Sequence, residues 1–174
     1  MNDVERSKIT SLQAPECVFG SGELTQLSPL FGDLFKHIIR LDFWANHLKS
    51  IPTSFGQMIN LELLEMCSNE LEFLPESIGN LTKLKYLGVA QNKLKSLPKS
   101  IINLTNLEKL DLMGNEKLPK YIRKDFNDKD IITESIERYE RETYSLSNKR
   151  CKLSHSSDDI NNVLLEDMQL ELDL

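Results

Sequence analysis

The sequence predicts an α/β solenoid, a short arc of stacked coils with a parallel β-sheet on its concave face and short helices or turns on its convex face. Two observations lead to this fold. Asparagine recurs at steps of 23 residues, at Asn46, Asn69, Asn92 and Asn115. Apolar residues stand at the same places around each asparagine, and a Leu-Pro or Ile-Pro pair follows each one. A fixed period of this length is the signature of stacked repeats.

Each repeat opens with a short alternating stretch that predicts a β-strand. In the third repeat, Leu87 and Val89 point to one face, and Tyr86, Gly88 and Ala90 point to the other, because successive side chains alternate across a strand. The inward positions of all four repeats predict the core. They are Ile38, Leu41, Phe43 and Leu48; Leu61, Leu64, Met66 and Leu71; Leu84, Leu87, Val89 and Leu94; and Leu107, Leu110 and Leu112.

The turn after each strand explains the asparagine. Backbone groups that become buried at such a turn need hydrogen-bond partners, and an amide side chain both donates and accepts. We therefore interpret Asn46, Asn69, Asn92 and Asn115 as a structural ladder. The proline that follows fixes φ and lacks an amide hydrogen, which predicts a bend. Stretches such as ESIGNLTKL then predict a short helical turn on the convex side.

The pattern L-x-x-L-x-L-x-x-N-x-L with a trailing L-P-x-x-I resembles the leucine-rich repeat family over residues 38–122. Its 23-residue length is similar to that of the intracellular, Ras-group class of this family. The resemblance implies a protein-binding scaffold. It also implies small GTPases, or components of kinase and phosphatase pathways, as partners.

The repeats divide the chain into five predicted segments. Residues 1–17 are an N-terminal tail, and residues 18–37 are a degenerate capping repeat in which Glu23 stands where asparagine would be in phase. Residues 38–126 hold the four repeats. Residues 127–144 predict an amphipathic capping helix with Ile132, Ile136 and Tyr139 at helical spacing. Such caps are expected because the ends of a solenoid expose its core. Residues 145–174 predict a disordered tail.

Composition and charge narrow the class of protein. The net charge of -6 disfavours nucleic acid as a partner. No apolar run approaches the roughly 18 residues that span a membrane, and the first residues lack a secretory signal. Three cysteines without paired spacing favour a reducing compartment, so we expect a cytoplasmic protein. Residues 149–152 resemble a nuclear-import signal and residues 160–170 an export signal, which leaves nuclear location and shuttling open.

The outward strand residues form the predicted partner-binding site. Read across the repeats, the middle column is acidic at three of four places, and the column beside it is apolar. An apolar stripe beside an acidic one, with Trp44 and Tyr86 exposed, favours a protein partner. Alternatively, Trp44 and Met113 pack against flanking segments. The predicted site residues are Arg40, Asp42, Trp44, Leu63, Glu65, Cys67, Tyr86, Lys109, Asp111 and Met113.

No pattern in the chain predicts catalysis, a cofactor or a metal site. The three histidines are scattered, no glycine-rich phosphate loop is present, and Glu65 beside Cys67 would raise the pKa of the thiol. We therefore expect an intracellular interaction scaffold or adaptor that is not an enzyme. The alternative is a substrate-receptor or nucleocytoplasmic shuttling adaptor whose C-terminal tail engages separate machinery.

Overall fold

A computed structural model describes residues 16–19 and 22–153 of the chain. Strands and short helices alternate through this region, with η denoting a 3₁₀ helix. The elements are β1 (Glu16–Val18), α1 (Phe31–Leu34), β2 (Arg40–Asp42), η1 (Thr53–Gln57), β3 (Leu63–Glu65), η2 (Glu76–Asn80), β4 (Tyr86–Gly88), η3 (Lys99–Asn103), β5 (Lys109–Asp111), η4 (Lys120–Ile122), β6 (Asp125–Phe126) and α2 (Lys129–Leu153). The chain forms two compact units, Met1–Glu137, which holds all the strands described, and Arg138–Leu174.

The strands form one six-stranded sheet in the order β1-β2-β3-β4-β5-β6. The four pairings from β1 to β5 are parallel, and from β2 onward each residue lies beside the residue 23 positions later, as Leu64 lies beside Leu87. The predicted α/β solenoid with its parallel sheet is therefore confirmed. β6 runs antiparallel to β5, which the repeat pattern does not predict.

The core lies between the sheet and the 3₁₀ helices. The central residue of each strand from β2 to β5 is almost wholly buried, and each 3₁₀ helix contributes one apolar side chain, such as Ile78 from η2. At the N-terminal end the core is aromatic. The rings of Phe19 and Phe43 stack at 4.7 Å, and those of Phe31 and Phe55 at 5.4 Å. Each such ring pair adds about 0.5–1.5 kcal/mol beyond the burial of its area.

The four asparagines lie buried at the ends of the strands and connect neighbouring coils. Asn92 Oδ1 accepts the Leu71 N–H at 2.9 Å, and its Nδ2 donates to Met66 O in the coil before at 2.9 Å and to Val89 O in its own coil at 3.1 Å. The other three repeat these bonds. The residue before each asparagine has positive φ, between 52° and 71°, which turns the chain out of the strand.

The ends of the array extend beyond the predicted boundaries. β1 begins at Glu16, two residues before the predicted capping repeat, because its backbone pairs with β2. α2 continues to Leu153 rather than ending at residue 144, since adding residues to an existing helix costs little once its first turn has formed. Ile132 and Ile136 in α2 are buried. The basic residues 149–152 lie in this helix, whereas the tail segments 1–15 and 154–174, including the whole export-like segment, lie outside the described residues.

Candidate partner-binding face

Strands β2 to β5 present three columns of side chains on the face opposite the core, which we call the concave face. Neighbours in a column lie side by side in the parallel register, about 4.8 Å apart. The first column is Arg40, Leu63, Tyr86 and Lys109; the middle column is Asp42, Glu65, Gly88 and Asp111; the third column, just past the strands, is Trp44, Cys67, Ala90 and Met113. The structure thus brings all the predicted partner-binding residues onto one surface.

The acidic residues of the middle column have a structural role that sequence reasoning missed. Each carboxylate accepts the backbone N–H of the third-column residue two positions later, where the strand ends. The pairs are Asp42 with Trp44 at 2.8 Å, Glu65 with Cys67 at 2.7 Å, and Asp111 with Met113 at 3.1 Å. In β4, Gly88 offers no carboxylate, and the Ala90 N–H donates to Cys67 Sγ at 3.1 Å instead. The signal available in the sequence was the constant spacing of two residues between each acidic residue and the third-column residue whose N–H it accepts.

Tyr86 closes the centre of the concave face. Its hydroxyl donates to Glu65 Oε2 at 2.6 Å, and its ring lies under the Lys109 ammonium, 5.5 Å from the ring centroid. A Cβ added at Gly88 would stand 2.6 Å from the Tyr86 hydroxyl and 2.7 Å from both Glu65 oxygens. Glycine at this position therefore makes room for the hydrogen bond. Tyr86 is half-buried and paired, so the expectation that it stands exposed beside Trp44 is wrong.

Burial, with a smaller contribution from negative charge, sets the protonation of this surface. Burial, followed by the hydrogen bond and charge of Glu65, raises the pKa of the Cys67 thiol and of the Tyr86 hydroxyl far above their usual ranges. Burial also raises the pKa of Asp111, and the charges of Asp125 and Glu65 add to it. Cys67 is therefore a protonated thiol at neutral pH, which is the opposite of what a nucleophile needs.

The third column has large, exposed side chains at its two ends and small, less exposed side chains in the middle. Trp44 and Met113 are 55% and 52% exposed, whereas Cys67 between them is half-buried and Ala90 is 7% exposed. We call this column, with the carboxylates beside it, the saddle. The two large side chains remain more than half accessible, so neither is packed away against a flanking segment.

The charged residues past the strands pair between coils. Glu70 accepts Lys93 Nζ at 2.9 Å on one oxygen and lies 3.1 Å from His47 Nδ1 through the other, while Lys95 pairs with Glu72. Lys93, followed by His47, holds the pKa of Glu70 below its usual range. Exposed pairs of this kind contribute little to stability, and they account for the alternating signs without a partner.

No helix in residues 16–19 and 22–153 is long and apolar enough to cross a membrane. In the same residues, no group of three or more His, Cys, Asp or Glu side chains is placed to hold a metal ion.

Comparison with known families agrees with the geometry. A family model described as a leucine-rich repeat region matches residues 23–124, which is more than half of the 174 residues. The chain belongs to the leucine-rich repeat family. Leucine-rich repeats typically serve as protein interaction modules rather than as enzymes, and this member carries the same solenoid. No curated protein gives a significant match.

Solved structures of other leucine-rich repeat proteins are similar to this one. A leucine-rich repeat protein of Leptospira interrogans is 37% identical, with a TM-score of 0.51, over 52% of this chain and 23% of its own. An internalin of Listeria monocytogenes is 22% identical over 53% and 26% of the two chains, with a TM-score of 0.47. The Arabidopsis receptor kinase HAESA, solved with a peptide hormone and a co-receptor, is 28% identical over 57% and 22%, with a TM-score of 0.45. The chain spans about a quarter of the length of these proteins.

Proposed function

We propose that this leucine-rich repeat chain is a protein-binding scaffold or adaptor that holds its partner on the concave face. The observation that carries the proposal is the saddle, where Trp44 and Met113 stand more than half exposed. Burying an apolar side chain of this size stabilises a complex by about 1.5–3 kcal/mol, and Trp is enriched among residues that dominate binding energy. Two such anchors on one rigid sheet are well suited to a protein surface.

The proposal also concerns the kind of activity, the cellular location and the class of partner. The protonated Cys67 thiol and the engaged Glu65 carboxylate argue for binding rather than catalysis. The cysteine usage supports a cytoplasmic location, with nuclear entry as the variant. The 23-residue period is in keeping with the intracellular class, and small GTPases or other signalling proteins are the partner class that this resemblance favours.

The test compares two double variants that each remove two exposed apolar side chains, from opposite sides of the solenoid. Trp44→Ser with Met113→Ser removes the two exposed apolar side chains from the ends of the saddle on the concave face. Ile59→Ser with Ile102→Ser strips two convex side chains that are 55% and 44% exposed. Charge reversal at Glu65 is unsuitable as a probe because its carboxylate accepts two hydrogen bonds within the fold. Both variants are first checked by circular dichroism and then used for affinity capture from lysate with mass spectrometry.

Partners that the concave variant loses and the convex variant keeps would support the proposal. Partners kept equally by both variants would contradict it and move function to the convex side or to the C-terminal tail. Repeating the capture with residues 154–174 deleted then separates the scaffold from the alternative, an adaptor whose tail engages separate machinery.

A further inference from the structure

The charge of the saddle is not balanced by its own residues. The middle and third columns together carry three carboxylates, Asp42, Glu65 and Asp111, and no cationic side chain. The first column, beside the saddle, holds two cations, Arg40 and Lys109, and the Lys109 ammonium lies over the Tyr86 ring and 3.6 Å from Asp125. A cation supplied by a partner would meet the unbalanced charge.

Asp42 and Asp111 retain most of their acceptor capacity toward such a cation, whereas Glu65 retains only the second lone pair of each oxygen, because the Cys67 N–H and the Tyr86 hydroxyl bond its two oxygens. Each oxygen of a carboxylate has two lone pairs, and the backbone N–H groups of Trp44 and Met113 bond one oxygen of Asp42 and of Asp111. Asp111 also has a raised pKa through burial and through Asp125 and Glu65, so its ionised form is under-stabilised in the free protein. A bound cation relieves that penalty.

The spacing of the saddle fits an extended chain. Trp44 on β2 and Met113 on β5 are three strand intervals apart, or about 14 Å. An extended chain advances about 3.3 Å per residue, so side chains four residues apart span about the same distance. Residues i, i+2 and i+4 of such a chain share one face. Its central side chain would then lie over the low middle of the saddle, above Cys67 and Ala90.

Resting on the proposed function, we infer that the concave face binds an extended protein segment with apolar side chains at i and i+4 and an arginine or lysine at i+2. The apolar side chains pack on Trp44 and on Met113. The stem of the basic residue lies over Ala90, and its charged group pairs with the Glu65 and Asp111 carboxylates. Nucleic acid and anionic membrane surfaces are the wrong sign for this surface.

The test uses the full chain and three labelled nine-residue peptides in fluorescence anisotropy. The parent peptide has the core Phe-Ser-Arg-Ser-Leu between Gly-Ser ends. The isomer, Phe-Arg-Ser-Ser-Leu, has the same composition but turns its arginine to the opposite face. The third peptide replaces arginine by glutamate. We expect the parent to bind at least about tenfold more tightly than either, with an affinity that falls as salt rises.

Protein variants locate the contacts. Asp111→Asn keeps an acceptor for the Met113 N–H but removes the charge, and it should weaken the parent peptide about fivefold. Glu108→Gln removes the same charge from an exposed position outside the three columns and should change binding less than about twofold. Trp44→Ser should weaken the parent about tenfold or more.

Equal binding of parent and isomer, tight binding of the glutamate peptide, or no saturable binding of the parent would each overturn the inference. A different result would contradict the proposed function. If the concave double variant loses lysate partners while the parent peptide does not bind, the scaffold stands and the basic segment is wrong. If that variant keeps every partner, the scaffold itself is wrong.

Discussion

Replacing Asn69 by Ala should destabilise the fold through one particular backbone group. Asn69 is 6% exposed, and its Oδ1 accepts the Leu48 N–H of the preceding coil at 3.0 Å. Its Nδ2 donates to Phe43 O at 2.9 Å and to Met66 O at 3.1 Å. Alanine at this position provides none of these bonds.

The magnitude follows from which groups keep a partner. Phe43 O still accepts from Asn46 Nδ2 at 3.0 Å, and Met66 O still accepts from Asn92 Nδ2 at 2.9 Å. The Leu48 N–H, which Asn69 alone bonds through its side chain, loses its acceptor. An unsatisfied buried donor costs about 1–3 kcal/mol, so we expect a loss in that range. With a urea m-value of about 2 kcal/mol/M, the midpoint should fall by about 0.5–1.5 M.

The assay is equilibrium urea unfolding. The chain has a single tryptophan, Trp44, whose fluorescence reports on the second coil, and far-ultraviolet circular dichroism reports on the whole array. Asn103→Ala is the matched control because Asn103 is exposed in η3, and it should change stability by less than about 0.5 kcal/mol. If Asn69→Ala unfolds at the same urea concentration as this control, the ladder does not satisfy the backbone in the way described.

Three further changes test the concave face and its surroundings. Gly88→Ala should break the hydrogen bond of Tyr86 and cost about 1–3 kcal/mol in urea unfolding, as overpacking does; stability equal to wild type would contradict the close approach. Because burial and Asp125 raise the pKa of Asp111, the native state binds the proton of this carboxyl more tightly than the unfolded state does. Stability therefore falls as the pH rises from the unfolded-state pKa of Asp111 to its native-state pKa. Asp111→Asn should remove this fall from a pH series of unfolding curves, and an unchanged series would refute the argument. Glu70→Gln should reduce the dependence of the melting temperature on salt without changing the circular dichroism spectrum, and identical salt dependence would show that its ion pairs contribute nothing.

Much of the fold could be predicted because one rule repeats. The 23-residue step fixes which residues lie side by side, as Leu64 lies beside Leu87, and the asparagines mark where each strand turns. The strands at the two ends of the sheet could not be predicted from the repeat pattern, for a physical reason. β1 and β6 are held by pairing to a neighbour rather than by any pattern of their own, and a strand of two residues, Asp125–Phe126, is too short to show one.

The arrangement of the concave face was predicted in outline but not in detail. Alternation placed the three columns correctly, since it depends only on strand geometry. It could not show that Tyr86 reaches across Gly88 to Glu65, because that contact joins two coils and depends on the missing side chain of a glycine. Nor could it distinguish a carboxylate that faces a partner from one that bonds its own backbone, as Asp42 bonds the Trp44 N–H.

The antiparallel strand β6 sets the direction in which this array can grow. Its residues Asp125 and Phe126 pair with β5, and the Leu112 N–H donates to Lys124 O at 2.9 Å, so backbone groups that a further parallel coil would use are already occupied. Duplicating a 23-residue unit between Asn46 and Asn115 would preserve the parallel strand register and the asparagine hydrogen bonds of the repeat. Adding one after Asn115 would first require β6 to be displaced. Lengthening of this scaffold, by evolution or by design, therefore proceeds by insertion within the array and not by addition at its C-terminal edge.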